Sequence, residues 1–158
     1  MSTRVFETFL GIPLHPLLIH TAVVFVPLLV VAALVYALVP RLRQRVGWVL
    51  IGLAVIAPLC ALASKLSGDA FRARLARRHA SAELLSQIDA HRQLGTILVW
   101  VVAALGVVAL ALALLPAARQ GKAVSLALVV LTVGLSLASA YYVFRTGDTG
   151  AHIAWNGS

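Results

Sequence analysis

Four long apolar runs dominate the chain: Leu17 to Val39, Val46 to Ala63, Leu94 to Leu115, and Ala123 to Phe144. None of them contains Asp, Glu, Lys or Arg. A hydrocarbon core about 30 Å thick takes about 20 residues of helix. Each central Leu, Ile, Val or Phe favours insertion by about 0.3–0.6 kcal/mol. Each run therefore predicts a membrane-crossing helix. The one long polar link, residues 65–90, carries Phe71, Leu75, Leu84, Leu85 and Ile88 at helical spacing, with arginines between them. That pattern predicts an amphipathic helix lying in the membrane interface between spans two and three, with a solvated surface helix as its alternative. The fold expected is all-α: an integral membrane four-helix bundle in a single domain over residues 1–158.

Local signals refine the spans. Pro13 and Pro16 suit the first helical turn of span one, where a missing N–H costs little. Pro27 and Pro58 fall inside spans and predict kinks. Small residues recur at packing distance in Ala57 and Ala61, Ala109 and Ala113, Gly134 and Ala138, and Ser136 and Ala140, as close helix approach in lipid requires. The first run is too long for the apolar core of a signal peptide, and no small-residue cleavage site follows it.

Composition narrows the class. Of 158 residues, 61% are hydrophobic and 11% charged, against about 45–50% and about 25% in an ordinary soluble domain. A soluble globule this small exposes too much of its surface to hide that apolar content. A disulfide scaffold is excluded because Cys60 is the only cysteine; it reads as a buried small hydrophobe. The net charge of +8 sits in the links. There it acts as a topology signal and as contacts to anionic headgroups. No platform of arginine and aromatic residues for nucleic acid is visible. Arg41, Arg43 and Arg45 in the first link, and Arg119 and Lys122 in the third, share one membrane side. The positive-inside rule makes that side cytoplasmic and both termini extracytoplasmic, although the long middle link on the other side also carries Lys65, Arg72, Arg74, Arg77 and Arg78.

The two halves resemble each other. His15-Pro16-Leu17-Leu18 opens span one, and His91-Arg92-Gln93-Leu94 opens span three. Ser67-Gly68-Asp69-Ala70 follows span two, and Thr146-Gly147-Asp148-Thr149 follows span four. Each half crosses the membrane twice, so the implied pseudo-repeat is parallel, with its axis along the membrane normal. It brings the histidine ends of spans one and three to equivalent places.

Those histidines carry the candidate chemistry. His15, His20, His79, His91 and His152 all fall on the side of the termini. His20 lies inside the first span, where an ionisable residue is a functional candidate by default. The bland alternative is a neutral imidazole hydrogen-bonded within the bundle. His15 and His20 are five positions apart, about 140° and about 7.5 Å on a regular helix, so they reach one ligand only if His15 precedes the helix. Ligands on facing helices are the arrangement a haem in a bundle uses. No Cys-x-x-Cys-His occurs, which removes covalent haem. The Gly-Asp exits read either as chain-reversing turns or, at Asp148, as a carboxylate orienting an imidazole. Trp48, Trp100, Tyr141, Tyr142 and Trp155 read as interfacial anchors, with cover for a cofactor as the alternative at Trp155.

Gly11-Ile12-Pro13-Leu14-His15-Pro16-Leu17-Leu18-Ile19-His20, His91-Arg92-Gln93-Leu94-Gly95, and Arg145-Thr146-Gly147-Asp148-Thr149-Gly150-Ala151 together resemble a bacterial membrane family catalogued as domain of unknown function 2231. The resemblance covers about residues 11–156. It implies a four-span protein of the bacterial cytoplasmic membrane in a redox setting, with b-type haem and a quinone or redox-protein subunit as partners. The family pattern has histidine where this chain has Asp148, which weakens a ligand role for His152, four positions on. The expected site is haem b held by His20 and His91, with His15 as substitute and Asp148 and His152 in supporting or alternative roles. One rival is a copper- or zinc-binding transport protein using the same histidines. Another is a cofactor-free structural subunit. An electron-transfer or accessory subunit is expected rather than a stand-alone enzyme, and homo- and hetero-oligomers are both allowed.

Overall fold

The computed structural model describes residues 8–9, 12–115 and 121–156. The expectations attached to Gly11 and Arg119 lie outside the described residues. Two short strands, β1 (Thr8–Phe9) and β2 (Ile12–Pro13), pair antiparallel. They lead into helix α1 (Leu14–Leu38). A 3-10 turn at Pro40–Leu42 connects to α2 (Arg43–Arg77), followed by α3 (Ala82–Leu114) and α4 (Lys122–Asn156). All four helices are long and apolar enough to cross a membrane. Each packs on its neighbour in chain order, and α4 closes the ring against α1.

The core is built from one stripe of each of the first three helices. Val26, Leu29 and Ala33 of α1 meet Leu50, Ala54 and Ala57 of α2 and Val102, Leu105 and Ala109 of α3. The outer surface is also apolar, with Val31, Val107, Leu126 and Leu137 exposed. Such a surface is a liability in water and the expected face toward lipid.

Two contacts show how the helices fit. Pro58 has no N–H, so the Ala54 carbonyl one turn earlier loses its helical donor. Gly106 of α3 packs onto that spot: a methyl group added there would lie 2.5 Å from the Ala54 oxygen and 3.1 Å from Pro58 Cγ. Of the small-residue pairs, Ala57 and Ala61 are buried, whereas Gly134 faces open space. At the opposite bundle end, Arg43 donates from Nε to the Tyr36 carbonyl at 2.9 Å and from Nη2 to that of Ala37 at 3.2 Å. It thus caps α1, whose last turn has no basic residue of its own.

The separate interfacial helix between spans two and three is not formed. Instead α2 and α3 run past the membrane segments and meet as an antiparallel hairpin. The break lies at 78–81. The Ala80 N–H bonds the Leu75 carbonyl and the His79 N–H bonds that of Ala76, each at 3.2 Å, with His79 in the left-handed region at φ 57°. This is a Schellman ending. Ser81 then caps α3, its Oγ accepting from the Leu84 N–H at 3.3 Å. No Gly or Pro marks this turn, so the apolar spacing of 71–88 ran across it unbroken.

Ion pairs tie the hairpin together. Arg72 grips Asp89 with both Nε and Nη2, at 3.1 and 2.8 Å. Arg92 bridges Asp69 of α2, at 2.8 Å, and Asp89 of its own helix, at 2.9 Å. Lys65 also pairs with Asp69. Both Gly-Asp exits are helical rather than turns, because α2 and α4 continue through them.

Two stability predictions follow from this packing. Gly106→Ala is expected to destabilise the bundle by about 1–3 kcal/mol, the usual cost of overpacking, while Gly134→Ala is neutral; unfolding in mixed micelles checks both. Arg92→Gln is expected to lower the thermal midpoint in the same micelles. Arg145→Gln, whose partner Asp148 is 4.0 Å away, leaves it unchanged.

Candidate functional site

The histidine end of the bundle is built twice. In the first half, His15 at the start of α1 reaches across to α2, where its Nδ1 lies 3.0 Å from Ser67 Oγ. In the second half, His91 of α3 reaches across to α4, where its Nδ1 lies 3.0 Å from Thr149 Oγ1. Each ring also rests on a glycine. A Cβ added at Gly68 would be 3.1 Å from His15 Cε1, and one added at Gly150 would be 3.1 Å from His91 Cε1. Only a residue without a side chain lets the imidazole approach the partner helix this closely. The carbonyl of Ser64 faces the His15 ring, and that of Thr146 faces the His91 ring. Each half therefore has a hydroxyl residue, a second one three positions on, and then glycine.

This geometry corrects the register of the repeat. Ser67 corresponds to Thr149 and Gly68 to Gly150, three positions beyond the match made on the Gly-Asp pairs. Asp69 and Asp148 are consequently not equivalent. Asp69 belongs to the hairpin ion-pair network. Asp148 faces Arg145 and His152 along α4, at 4.0 and 3.5 Å. Thr149, not Asp148, is the partner of His91. Ser64, Ser67, Thr146 and Thr149 were missed as site residues; the signal present in the sequence was their three-residue spacing before a glycine.

Each hydroxyl also has an acceptor on its own helix. Ser67 Oγ donates its proton to the Ser64 carbonyl at 2.8 Å. Thr149 Oγ1 donates to the carbonyls of Arg145 and Thr146, at 2.9 and 3.1 Å. In the tautomer with the ring proton on Nδ1, each hydroxyl keeps these bonds while accepting from the imidazole, and Nε2 keeps its lone pair. Phe71 of α2 stacks against His15 with centroids 6.1 Å apart.

Depth follows from helix rise. At about 1.5 Å per residue, His15 is about 35 Å from the end of α1 at Leu38, and His91 about 35 Å from the end of α3 at Leu114. A hydrocarbon core of about 30 Å puts both imidazoles at the headgroup edge of one leaflet. The other histidines are placed differently. His20 is exposed, on another face of α1 from His15. His79 sits in the hairpin turn. His152 is 71% exposed on α4. Among the described residues, no group of three or more His, Cys, Asp or Glu side chains is gathered in a metal-binding arrangement.

No curated protein and no solved structure matches the chain significantly. One family does match: it is described as "Predicted membrane protein (DUF2231)", and the match spans residues 11–158. That span takes in both imidazole–hydroxyl pairs and all four membrane helices, and the chain belongs to this family.

Proposed function

We propose that the protein is a small cytochrome b-like membrane subunit that holds haem b through His15 and His91 and exchanges electrons with a quinone or a redox-protein subunit. The observation that supports this is the matched anchoring of two imidazoles from two different helices by Ser67 and Thr149. Haem ligation in a bundle asks for two imidazoles, each with its other nitrogen held so that tautomer and orientation are fixed. The donor set fits that requirement. Zinc sites ask for three or four protein ligands, and the described residues gather no such group, so the copper or zinc reading has less support. His20 and His91 were the expected axial pair; the exposure of His20 favours His15 in its place. When bound, haem supplies one-electron chemistry. The chain's own part is to present Nε2 of each ring and to hold Nδ1–H against a hydroxyl. This reading keeps the protein in the bacterial cytoplasmic membrane with both termini extracytoplasmic, since Arg41, Arg43, Arg45 and Lys122 sit at the end opposite the paired histidines.

One observation favours a second reading. His15 and His91 pack directly on Gly68 and Gly150, so each also acts as a clasp between two helices. A cofactor-free structural subunit would use them in that way alone.

An absorption spectrum of the protein purified from haem-replete membranes separates the two. The expected result is a Soret band that shifts on reduction. His15→Ala and His91→Ala each abolish it, and His20→Ala leaves it intact. Ser67→Ala and Thr149→Ala lower haem affinity by about 10–100-fold, the usual effect of losing the group that orients a ligating histidine. A well-folded wild type with no Soret band, or a band that survives removal of both His15 and His91, overturns the haem reading.

A further inference from the structure

The α2–α3 hairpin carries a charged cluster that the repeat does not share. The corrected register makes Ala151 and Ala154 of α4 the counterparts of Asp69 and Arg72 of α2. The match of His15 with His91 makes Pro16 and Leu17 the counterparts of Arg92 and Gln93. The α4–α1 junction therefore packs without charges at the places where the α2–α3 junction has them. The cluster is an addition to the common plan.

It also surrounds a cleft. Arg72, Asp89, Arg92, Gln93 and Thr96 line a space of about 460 Å³, within the range of about 300–1,000 Å³ that small-ligand sites occupy. The charges there do not cancel. Asp89 accepts from both arginines, and Asp69 is shared between Arg92 and Lys65. Three cations thus face two carboxylates. Across residues 65–93, six basic side chains stand against three acidic ones. Nor are the donors exhausted. Arg72 uses Nε and Nη2 on Asp89; its Nη1, like the Gln93 amide, has no hydrogen-bond partner among the described residues. The forked N–H groups of a guanidinium match the oxygens of a phosphate.

Depth selects the source of that phosphate. Arg92 and Gln93 directly follow His91, which lies at the headgroup edge. Thr96 is about 7.5 Å further into the membrane than His91 and gives its proton to the Arg92 carbonyl at 2.9 Å. Below Thr96 the same face of α3 continues through Trp100 and Val107, which are 72% and 67% exposed. The surface is cationic at headgroup level and apolar immediately beneath, which is the polarity of a phospholipid and not of a soluble anion.

We propose that this cleft binds the headgroup of one anionic phospholipid. Arg72 and Gln93 donate to its phosphodiester, and its acyl chains lie along Trp100 and Val107. Basic pockets between membrane helices hold anionic headgroups in this way. A zwitterionic lipid brings a cation of its own, which the excess positive charge disfavours. The assignment rests on the cleft and stands whether or not haem binds.

Native mass spectrometry of the full chain released from detergent micelles tests the proposal. One phosphatidylglycerol is expected to bind the wild type at about 5-fold lower concentration than phosphatidylcholine. Arg72→Gln removes that preference. Gln93→Leu, which leaves every ion pair in place, weakens phosphatidylglycerol binding several-fold. Arg145→Gln, exposed on the same membrane side but outside the cleft, leaves it unchanged. Inorganic phosphate at the same concentration does not displace the lipid. A wild type with no preference for phosphatidylglycerol overturns the proposal, and that arm does not depend on how any variant folds. Binding unchanged in both Arg72→Gln and Gln93→Leu, or displacement by inorganic phosphate, overturns it as well.

Discussion

The imidazole–hydroxyl hydrogen bond, made once between α1 and α2 and once between α3 and α4, sets the architecture of the site. Each bond needs three things at one level of the bundle: a histidine just before the apolar run of one helix, a hydroxyl on its neighbour, and a glycine beside that hydroxyl. His15 with Ser67 and Gly68 meets the requirement, and so does His91 with Thr149 and Gly150. In lipid the apolar side chains add little net attraction between helices, so packing and interhelical hydrogen bonds take a larger share of the work. The bundle follows that rule. Below the histidine layer it is held by close contacts such as Gly106 on Ala54, and above it by the ion pairs of the α2–α3 hairpin.

This arrangement joins structure to chemistry. Where each hydroxyl gives its proton to its own helix, its oxygen accepts from the imidazole and the ring proton is on Nδ1. The free Nε2 is then fixed in direction. A ring held in this way serves equally as a helix clasp and as a prepared ligand, which is why the two readings of the histidines share one geometry. Beneath the two rings the halves differ in composition: α2 buries Ala54 and Ala57, and α4 buries Ser136 and Ser139.

Much of the fold was legible in the pattern of apolar residues. Four uncharged runs predicted four helices, because a bilayer leaves a long apolar segment few other options. The helix ends were less legible. α2 and α3 run beyond their apolar segments because Arg72, Asp89, Arg92 and Asp69 pair across the hairpin, a tertiary effect with no local pattern. The turn at 78–81 uses His79 where Gly is usual, so its strongest cue was missing. The site was half legible. His15 and His91 stood out as matching residues, but the Gly-Asp pairs suggested the wrong register, since an aspartate looks more chemical than a serine or threonine.

The central claim, that two equivalent imidazoles are held by hydroxyls of the adjacent helices, is tested most directly by nitrogen-15 NMR of the histidine rings in bilayers at neutral pH. In the cofactor-free protein, His15 and His91 are each expected to show a protonated Nδ1 and an unprotonated Nε2, and the Nδ1 resonances shift in Ser67→Ala and Thr149→Ala respectively. Rings protonated at Nε2, or resonances that do not move when their hydroxyl is removed, would contradict it.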